Sequence, residues 1–258
     1  MQNFRFRQVS LKECLSTQDQ AFRLFSENDH FLGVRTDLQT QGRGRLGRHW
    51  LDTGSGNFLA SLAFRPRVKA AKVPQLSLLS GLAMFNVLKI FHPDVNFFIK
   101  WPNDIMVENS GGQFQKLGGI LLELKNSILV VGVGVNVHSV DPSIGNAISL
   151  STLTKVPFKN LDLWLESLAL EIFKLESQIL QSNGGFADLL QLQLKSAMMP
   201  MIGKKGHYFK NPQDLSEKVE CVASGINFRN GALQVKVLDS GENLELQSGE
   251  FSFSNVGI

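Results

Sequence analysis

QTQGRGRLGRHW, residues 39–50, alternates glycine with arginine (Gly42, Arg43, Gly44, Arg45, Gly47, Arg48) and closes on Trp50. Its glycine spacing is that of a dinucleotide-binding turn, which would make the fold a doubly wound parallel sheet. That reading needs a helix opening on the glycines and an acidic residue about 20 positions on. The continuation RHWLDTGSGN is poor helix material, and Arg65 and Arg67 stand where the acid should be. A GxxxxGK[ST] phosphate loop occurs nowhere in the chain. Three readings remain: a solvated basic turn, an arm for a nucleic-acid backbone, or a flap over a phosphate-bearing ligand. Glycines let backbone N–H groups approach phosphate oxygens, and arginines supply planar forks. Such a flap would be mobile when empty, because like charges repel, and would order around a polyanion.

The rest of the chain bounds the choice. It has 258 residues, 43% hydrophobic and 19% charged, enough for one large domain or a large one and a small one. The net charge of +3 is too weak to argue for nucleic acid and would suit an acidic protein partner. Cys14 and Cys221 match no metal-ligand spacing and read as free thiols in a reducing cytosol. MQNFRFRQVSLKE lacks the apolar run of a signal peptide, and no stretch approaches the roughly 18 apolar residues of a membrane span. A cytoplasmic protein without a membrane partner is expected.

FRFRQV (4–9) alternates like an edge strand, and Ser16 or Thr17 is placed to cap a short helix. FLGVRTD (31–37), NFLASLAF (57–64) and NFFIKW (96–101) read as strands. Pro74 opens a helical pattern through Leu76, Leu79, Leu82, Phe85, Leu88 and Ile90. GGILLEL (118–124) and ILVVGVGVNV (128–137), separated by KNS, suggest a hairpin. An amphipathic helix follows Asn160, a candidate cap, and another covers about 186–197. Beyond Pro200 and GKKG (203–206), short alternating strands with glycine or asparagine turns indicate a small β-barrel or sandwich. The expected organisation is an α/β domain over 1–200 and a β domain over 201–258.

Three further stretches carry chemistry. KWPND (100–104) ends a strand with Lys100 and Asp104 beside a tryptophan; Asn103 and Asp104 could hold Mg2+ and its waters against phosphates. KLGGILLE (116–123) puts Lys116 before two glycines, where it could neutralise a carboxylate or phosphate. VVGVGVNV (130–137) sets Gly132 and Gly134 on one face of a strand, leaving a groove with Asn136 at its end, unless they only make room for a packed helix.

In this order GRGRLGRHW (42–50), KWPND (100–104), KLGGILLE (116–123) and GVGVNV (132–137) resemble the biotin–protein ligase family, whose pattern runs GRGRxGRxW, KWPND, KxxGIL(x)E and GxGxN(V). Ser16 and Thr17 match the start of its STN, with Gln18 where the family usually has asparagine, and Gln39 and Thr40 precede the loop as QT. More weakly, GINFRNGALQV and SGEFS resemble the family's terminal β-barrel. The resemblance implies an α/β (α+β) catalytic domain like class II aminoacyl-tRNA synthetases, a mixed sheet flanked by helices, followed by a small SH3-like β-barrel. It implies activation of biotin by MgATP to biotinyl-5′-AMP, then transfer to a lysine of a biotin carboxyl carrier domain.

Carried over by position, the resemblance gives Ser16, Thr17 and Gln39 to the ureido ring of biotin and its neighbours. Gly42 and Arg43 would form the biotin- and phosphate-binding loop, and Arg45 and Arg48 would engage the triphosphate or acyl phosphate. Trp50 would wall the pocket, and Lys116 would contact the biotin carboxylate and the phosphate it attacks. Gly119 and Gly132 would floor the pocket, and Asn136 would meet the adenylate. Asn103 and Asp104 would position Mg2+, mostly through phosphates and water, and the incoming lysine. Thr40, Gly44 and Lys100 complete the substrate- and nucleotide-binding set, and Lys116, Arg43, Arg45, Arg48 and Asp104 form the catalytic group. No helix-turn-helix precedes Ser16, so specific DNA binding is not expected; a homodimer is left open beside a monomer. Lipoate–protein ligases resemble this family in fold and chemistry, but KWPND with GRGRxGRxW favours biotin. A nucleic-acid-binding protein is disfavoured by the single tyrosine and by 23 acidic residues against 26 basic ones. A protein that merely binds biotin is disfavoured because every phosphate-handling residue is present.

Overall fold

FLASLAF and ILVVGVGV are apolar at nearly every position, which suits strands covered on both faces. In the computed structural model they lie side by side at the centre of a seven-stranded sheet. The structure describes residues 4–52, 54, 56–67, 73–109, 111–154, 160–181, 188–211 and 214–254. The sheet is built from β1 (Phe6–Cys14), β2 (Phe31–Gln39), β5 (Phe58–Phe64), β6 (Phe97–Lys100), β7 (Asp104–Glu108), β8 (Phe114–Lys125) and β9 (Ile128–Val135). Its order is β1-β2-β5-β9-β8-β7-β6. β1 and β2 are parallel and the other neighbours antiparallel, so the sheet is mixed, and β1 is an edge strand as its alternation suggested. The hairpin of β8 and β9 turns at Asn126 and Ser127, both with positive φ.

One face of this sheet carries the main core. Phe58, Ala60, Leu62 and Phe64 of β5 and Leu129, Val131, Val133 and Val135 of β9 pack with α2 (Val73–Phe91) and α4 (Leu161–Gln181). The period of two sends alternate residues the other way. On that opposite face, Leu32, Val34, Ala63 and Val130 meet Ala21 of α1 (Thr17–Leu24). At eight residues α1 is too short to cover the face, and the uncovered remainder is the candidate site. Each fully buried leucine or phenylalanine contributes about 1.5–3 kcal/mol, so the helix-covered face fixes the sheet's geometry.

Helix boundaries follow the sequence closely. α2 starts at Val73, one residue before Pro74. α5 covers Asp188–Met198; residues 186 and 187, with which the expected helix begins, lie outside the described residues. Two expected caps differ. Ser16 has the extended backbone of a cap, but its hydroxyl makes no cap bond. The first N–H of α1, on Thr17, donates instead to Oε1 of Gln39 in β2 at 2.7 Å. Asn160 precedes α4 in the left-handed conformation (φ 65°) and accepts the N–H of Leu163 with its backbone carbonyl, not its side chain. Asparagine tolerates that conformation, whereas a side-chain cap needs extended backbone.

After the short helix α3 (Leu150–Leu153) and α4 and α5, the chain forms a five-stranded antiparallel sheet: β10 (Lys205–Asn211), β11 (Asp214–Asn227), β12 (Ala232–Val237), β13 (Asn243–Leu246) and β14 (Phe251–Phe253), ordered β13-β12-β11-β10-β14. This is the small β unit expected after Pro200. It shares the main core through Tyr208, Val235, Phe251 and Phe253, with Phe253 lying 4.9 Å from the Phe114 ring. Indole Nε1 of the buried Trp101 donates to the Gly231 carbonyl at 3.0 Å, joining the KWPND turn to the second sheet.

Candidate active site

Gly132 and Gly134 point from β9 into the uncovered face, and each lies under a side chain that needs the space. A Cβ on Gly134 would stand 2.5 Å from the Trp50 ring, and one on Gly132 would stand 2.7 Å from Oε1 of Gln18. The groove they leave encloses a cavity of about 140 Å³. One water needs roughly 10–15 Å³ by the same measure, so the cavity admits a small organic molecule.

The arginine loop roofs this cavity. β3 (Gly42–Arg43) pairs with β4 (His49–Trp50), and Leu46 and Gly47 turn the chain with positive φ. Gly44 N–H donates to the Arg48 carbonyl at 2.7 Å, closing the hairpin. The loop is folded as a hairpin, and acidic side chains take up part of its charge. Arg43 bridges Asp19 of α1 at 2.8 Å and Glu123 of β8 at 2.7 Å. Arg48 forms a fork on Glu250 at 2.7 and 3.1 Å. Arg45 differs. It donates to Asn103 Oδ1 at 3.1 Å and to the Gly249 carbonyl at 3.0 Å, and no carboxylate bonds it among the described residues. Desolvation pushes its pKa down, partly offset by Asp104 and Glu250, yet a guanidinium stays charged.

Under the roof, KWPND folds as the turn between β6 and β7 and brings Lys100 opposite Asp104. A bulge in β8 completes the group. Met106 pairs with Lys116 and Ile105 with Gly118, so Leu117 is an extra residue and Lys116 turns onto the face of Gly119. Asp104 is buried, with Oδ1 2.7 Å from Lys116 Nζ and Oδ2 3.0 Å from Lys100 Nζ. Burial works to raise its carboxyl pKa, but the two lysines outweigh burial and hold it well below the usual carboxylate range. Five cationic side chains (Arg43, Arg45, Arg48, Lys100, Lys116) but two carboxylates (Asp104, Glu250) line the cavity. That imbalance favours an anionic ligand.

The structure brings together most residues singled out by sequence. Thr17, Gln39, Gly44, Trp50, Asn103, Gly119 and Gly132 line the cavity along with Asp104 and the five cations. Four positions lie behind it. Ser16 is buried at the start of α1, and exposed Thr40 donates its N–H to the Cys14 carbonyl. Gly42 packs against Gln39, where a Cβ would stand 2.6 Å from Nε2. Asn136 is turned from the cavity: its amide nitrogen donates to the Ile148 carbonyl at 3.3 Å. That segment in turn accepts Lys116 N–H at Asn146 and donates Ile148 N–H to Lys116, so Asn136 braces the lysine's strand. The expected metal pair does not fit direct ligation in this arrangement. Both Asp104 oxygens meet lysines and Asn103 Oδ1 accepts from Arg45, which places three cations where a fourth would sit. No group of three acidic, histidine or cysteine residues suited to a metal occurs among the described residues. Glu250 and Gln18 were missed as lining residues, and Glu123 as the partner of Arg43. The last sits in the KLGGILLE motif; Glu250 carried no signal beyond SGEFS as a strand.

Comparison with known proteins agrees with this geometry. The family model for the biotin/lipoate A/B protein ligase family matches residues 14–139. The biotin–[acetyl-CoA-carboxylase] ligase of Paracoccus denitrificans is 37% identical over 127 residues, covering 47% of this chain and 50% of that protein. The biotin–protein ligase of Schizosaccharomyces pombe is 28% identical over 239 residues, covering 86% of this chain and 37% of that protein. The chain thus spans about half the length, or less, of these curated relatives. The structure of the Aquifex aeolicus biotin protein ligase in complex with biotin and ATP superposes with a TM-score of 0.77 at 25% identity, covering 95% of this chain and 97% of that one. Residues 14–139 thus match the biotin/lipoate A/B protein ligase family model, and the chain shares its fold with the Aquifex aeolicus biotin protein ligase.

Proposed function

We propose that the chain is a biotin–protein ligase, which activates biotin with ATP and passes it to a lysine of a biotin carboxyl carrier domain. The observation that carries this reading is the convergence of Lys116, Lys100 and three arginines on one glycine-floored cavity. Attack of a carboxylate on a triphosphate sets anion against anion. In the first step a biotin carboxylate oxygen bonds the α-phosphorus and pyrophosphate leaves. Lys116 would hold the carboxylate beside the phosphate, and Arg45, which no carboxylate bonds, would meet the developing phosphate charge. Asp104 holds Lys116 and Lys100 in place. Mg2+ would enter on the triphosphate and its waters, not on Asn103 or Asp104.

The mixed anhydride is open to hydrolysis, so the hairpin and Trp50 would exclude water from it. In the second step the carrier lysine's amine attacks the acyl carbon, AMP leaves, and an amide remains. The ionised Asp104 would orient the incoming amine, whose proton passes to solvent as the amide forms. Residues 1–200 would house this chemistry and 201–258 would close it from the side through Glu250. We place the reaction in the cytoplasm, where carrier domains with free lysines are made.

Pyrophosphate–ATP exchange tests the reading, comparing biotin, lipoate, octanoate and no acid. Exchange that requires biotin is the expected outcome. Exchange with lipoate instead would keep the chemistry and overturn the substrate; none with any acid would overturn the enzyme.

A further inference from the structure

Two stretches of chain far apart in sequence meet at one buried amide. Asn57, the residue before β5, is only 2% exposed. Its Oδ1 accepts the N–H groups of Val137 at 2.9 Å, His138 at 3.1 Å and Ser139 at 3.4 Å. Its Nδ2 donates to Asp52 Oδ1 at 3.1 Å. Donors meet the oxygen and an acceptor meets the nitrogen, so the amide has a single orientation. One end thus holds the segment that leaves β9, and the other holds the chain two residues beyond Trp50. That segment is the one that braces Lys116. Ser151 donates its N–H to the Val137 carbonyl at 2.9 Å and its hydroxyl to the His138 carbonyl at 2.7 Å. Leu150 N–H bonds the Asn136 carbonyl at 2.9 Å. Asn146 then accepts the N–H of Lys116 and Ile148 donates to its carbonyl, both at 2.9 Å. Gly56 adds a steric fit, because a Cβ there would run into the His138 ring.

We propose that Asn57 is a positioning residue: through Asp52 it seats the Trp50 end of the roof, and through residues 137–139 the segment that holds Lys116. This rests on the ligase reading and deepens it. The mixed anhydride would survive only under a seated roof, and its formation needs Lys116 beside the phosphate. Each need depends on where a distant stretch of main chain stands. A common anchor keeps the two in register, since a shift at Asn57 moves both. Its three N–H bonds lie in a buried site, where a lost partner costs more than in water. A displacement of about 1 Å, even one that starts far from the reacting atoms, can slow a reaction about 10²-fold, which is the lever such an anchor holds.

The test compares wild type with Asn57→Ala, Asp52→Ala and the double variant. Pyrophosphate–ATP exchange gives kcat and KM for adenylation, and a chase with unlabelled biotin gives the rate at which labelled adenylate escapes. Asp52→Ala cuts only the link to the roof, so escape should rise about 10-fold while kcat falls little. Asn57→Ala cuts both links: escape should rise as far, and kcat should fall about 10²-fold with KM little changed. The double variant should leak no faster than Asn57→Ala, because both substitutions break the same bond. Additive leakage, or a kcat loss in Asn57→Ala with no leak, would overturn the assignment. Should Asn57→Ala fail to fold, Asn57→Asp keeps the acceptor but sets a second carboxylate against Asp52. It should leak, and adding Asp52→Asn, which restores a donor, should reverse the leak. A purely structural role would change folded yield and melting but not this split between escape and kcat. Amide hydrogen exchange without substrate reads the same links independently of the chemistry. Asp52→Ala should speed it in residues 42–50 alone, and Asn57→Ala there and in 137–139; unchanged protection in both variants would overturn the proposal. Wild type that showed no pyrophosphate exchange with biotin would sink the ligase reading instead, and the hydrogen-exchange result would still decide the link.

Discussion

The two faces of the seven-stranded sheet are made from the same strands yet follow opposite rules. Toward α2 and α4, β5 and β9 present phenylalanine, leucine and valine, and side chains fill the space. Toward the cavity the same β9 presents Gly132 and Gly134, and the space is roofed by Gln18 and Trp50. Unpartnered polar atoms of Gln18, Arg43 and Trp50 gather on the cavity side. The packed face supplies the stability that lets the other retain an opening, clustered charge and unsatisfied groups, each of which opposes folding. Stability and chemistry are thus divided between alternate residues of single strands.

Three substitutions would break or sharpen that division. Lys116→Ala should lower biotin adenylation by roughly 10³-fold, the scale for removing one preorganised charge. Thermal melting should shift less than for a core substitution, since Lys100 still pairs with the buried Asp104; a collapsed melt would move Lys116 to the structural side. Leu82→Ala, in the wholly buried face of α2, should cost about 3 kcal/mol in urea unfolding while exchange per folded molecule stays near wild type. Lost activity without lost stability would contradict the division. Gly134→Ala should have the smallest effect, about a 10-fold rise in biotin KM with a loss near 1 kcal/mol, because its methyl group displaces the Trp50 ring. Since Trp101 and Trp164 are buried, iodide quenching of fluorescence should rise as Trp50 is lifted.

The packed face was largely legible from the sequence, because burial imposes a period that neighbouring residues share. The apolar runs of β5 and β9 and the leucine spacing of α2 all read correctly. The site was legible where it is written in short runs, and GRGRLGRHW, KWPND and KLGGILLE do meet in one cavity. What escaped depends on distant partners. Nothing local says that Gln39 caps α1, that Glu250 reaches Arg48, or that Leu117 is the extra residue that turns Lys116. The family resemblance gives Asn136 to the adenylate; here the strand ends at Val135 and the Asn136 amide bonds the Ile148 carbonyl. Nor does the local sequence say that Asp19, Glu123 and Glu250 offset the like-charge repulsion within the loop.

The grip of Arg45 on Gly249 and of Arg48 on Glu250 also sets a clock. Arg48 and Glu250 are 202 positions apart in the chain. At 5–20 residues per second, a ribosome that has made the loop needs on the order of 10–40 s to reach its anchor. Once residue 134 is made, the nascent polypeptide holds the lysines and the glycine floor but still lacks the anchors of its roof. On the proposed reading, any acyl adenylate formed before those anchors exist would be exposed to water.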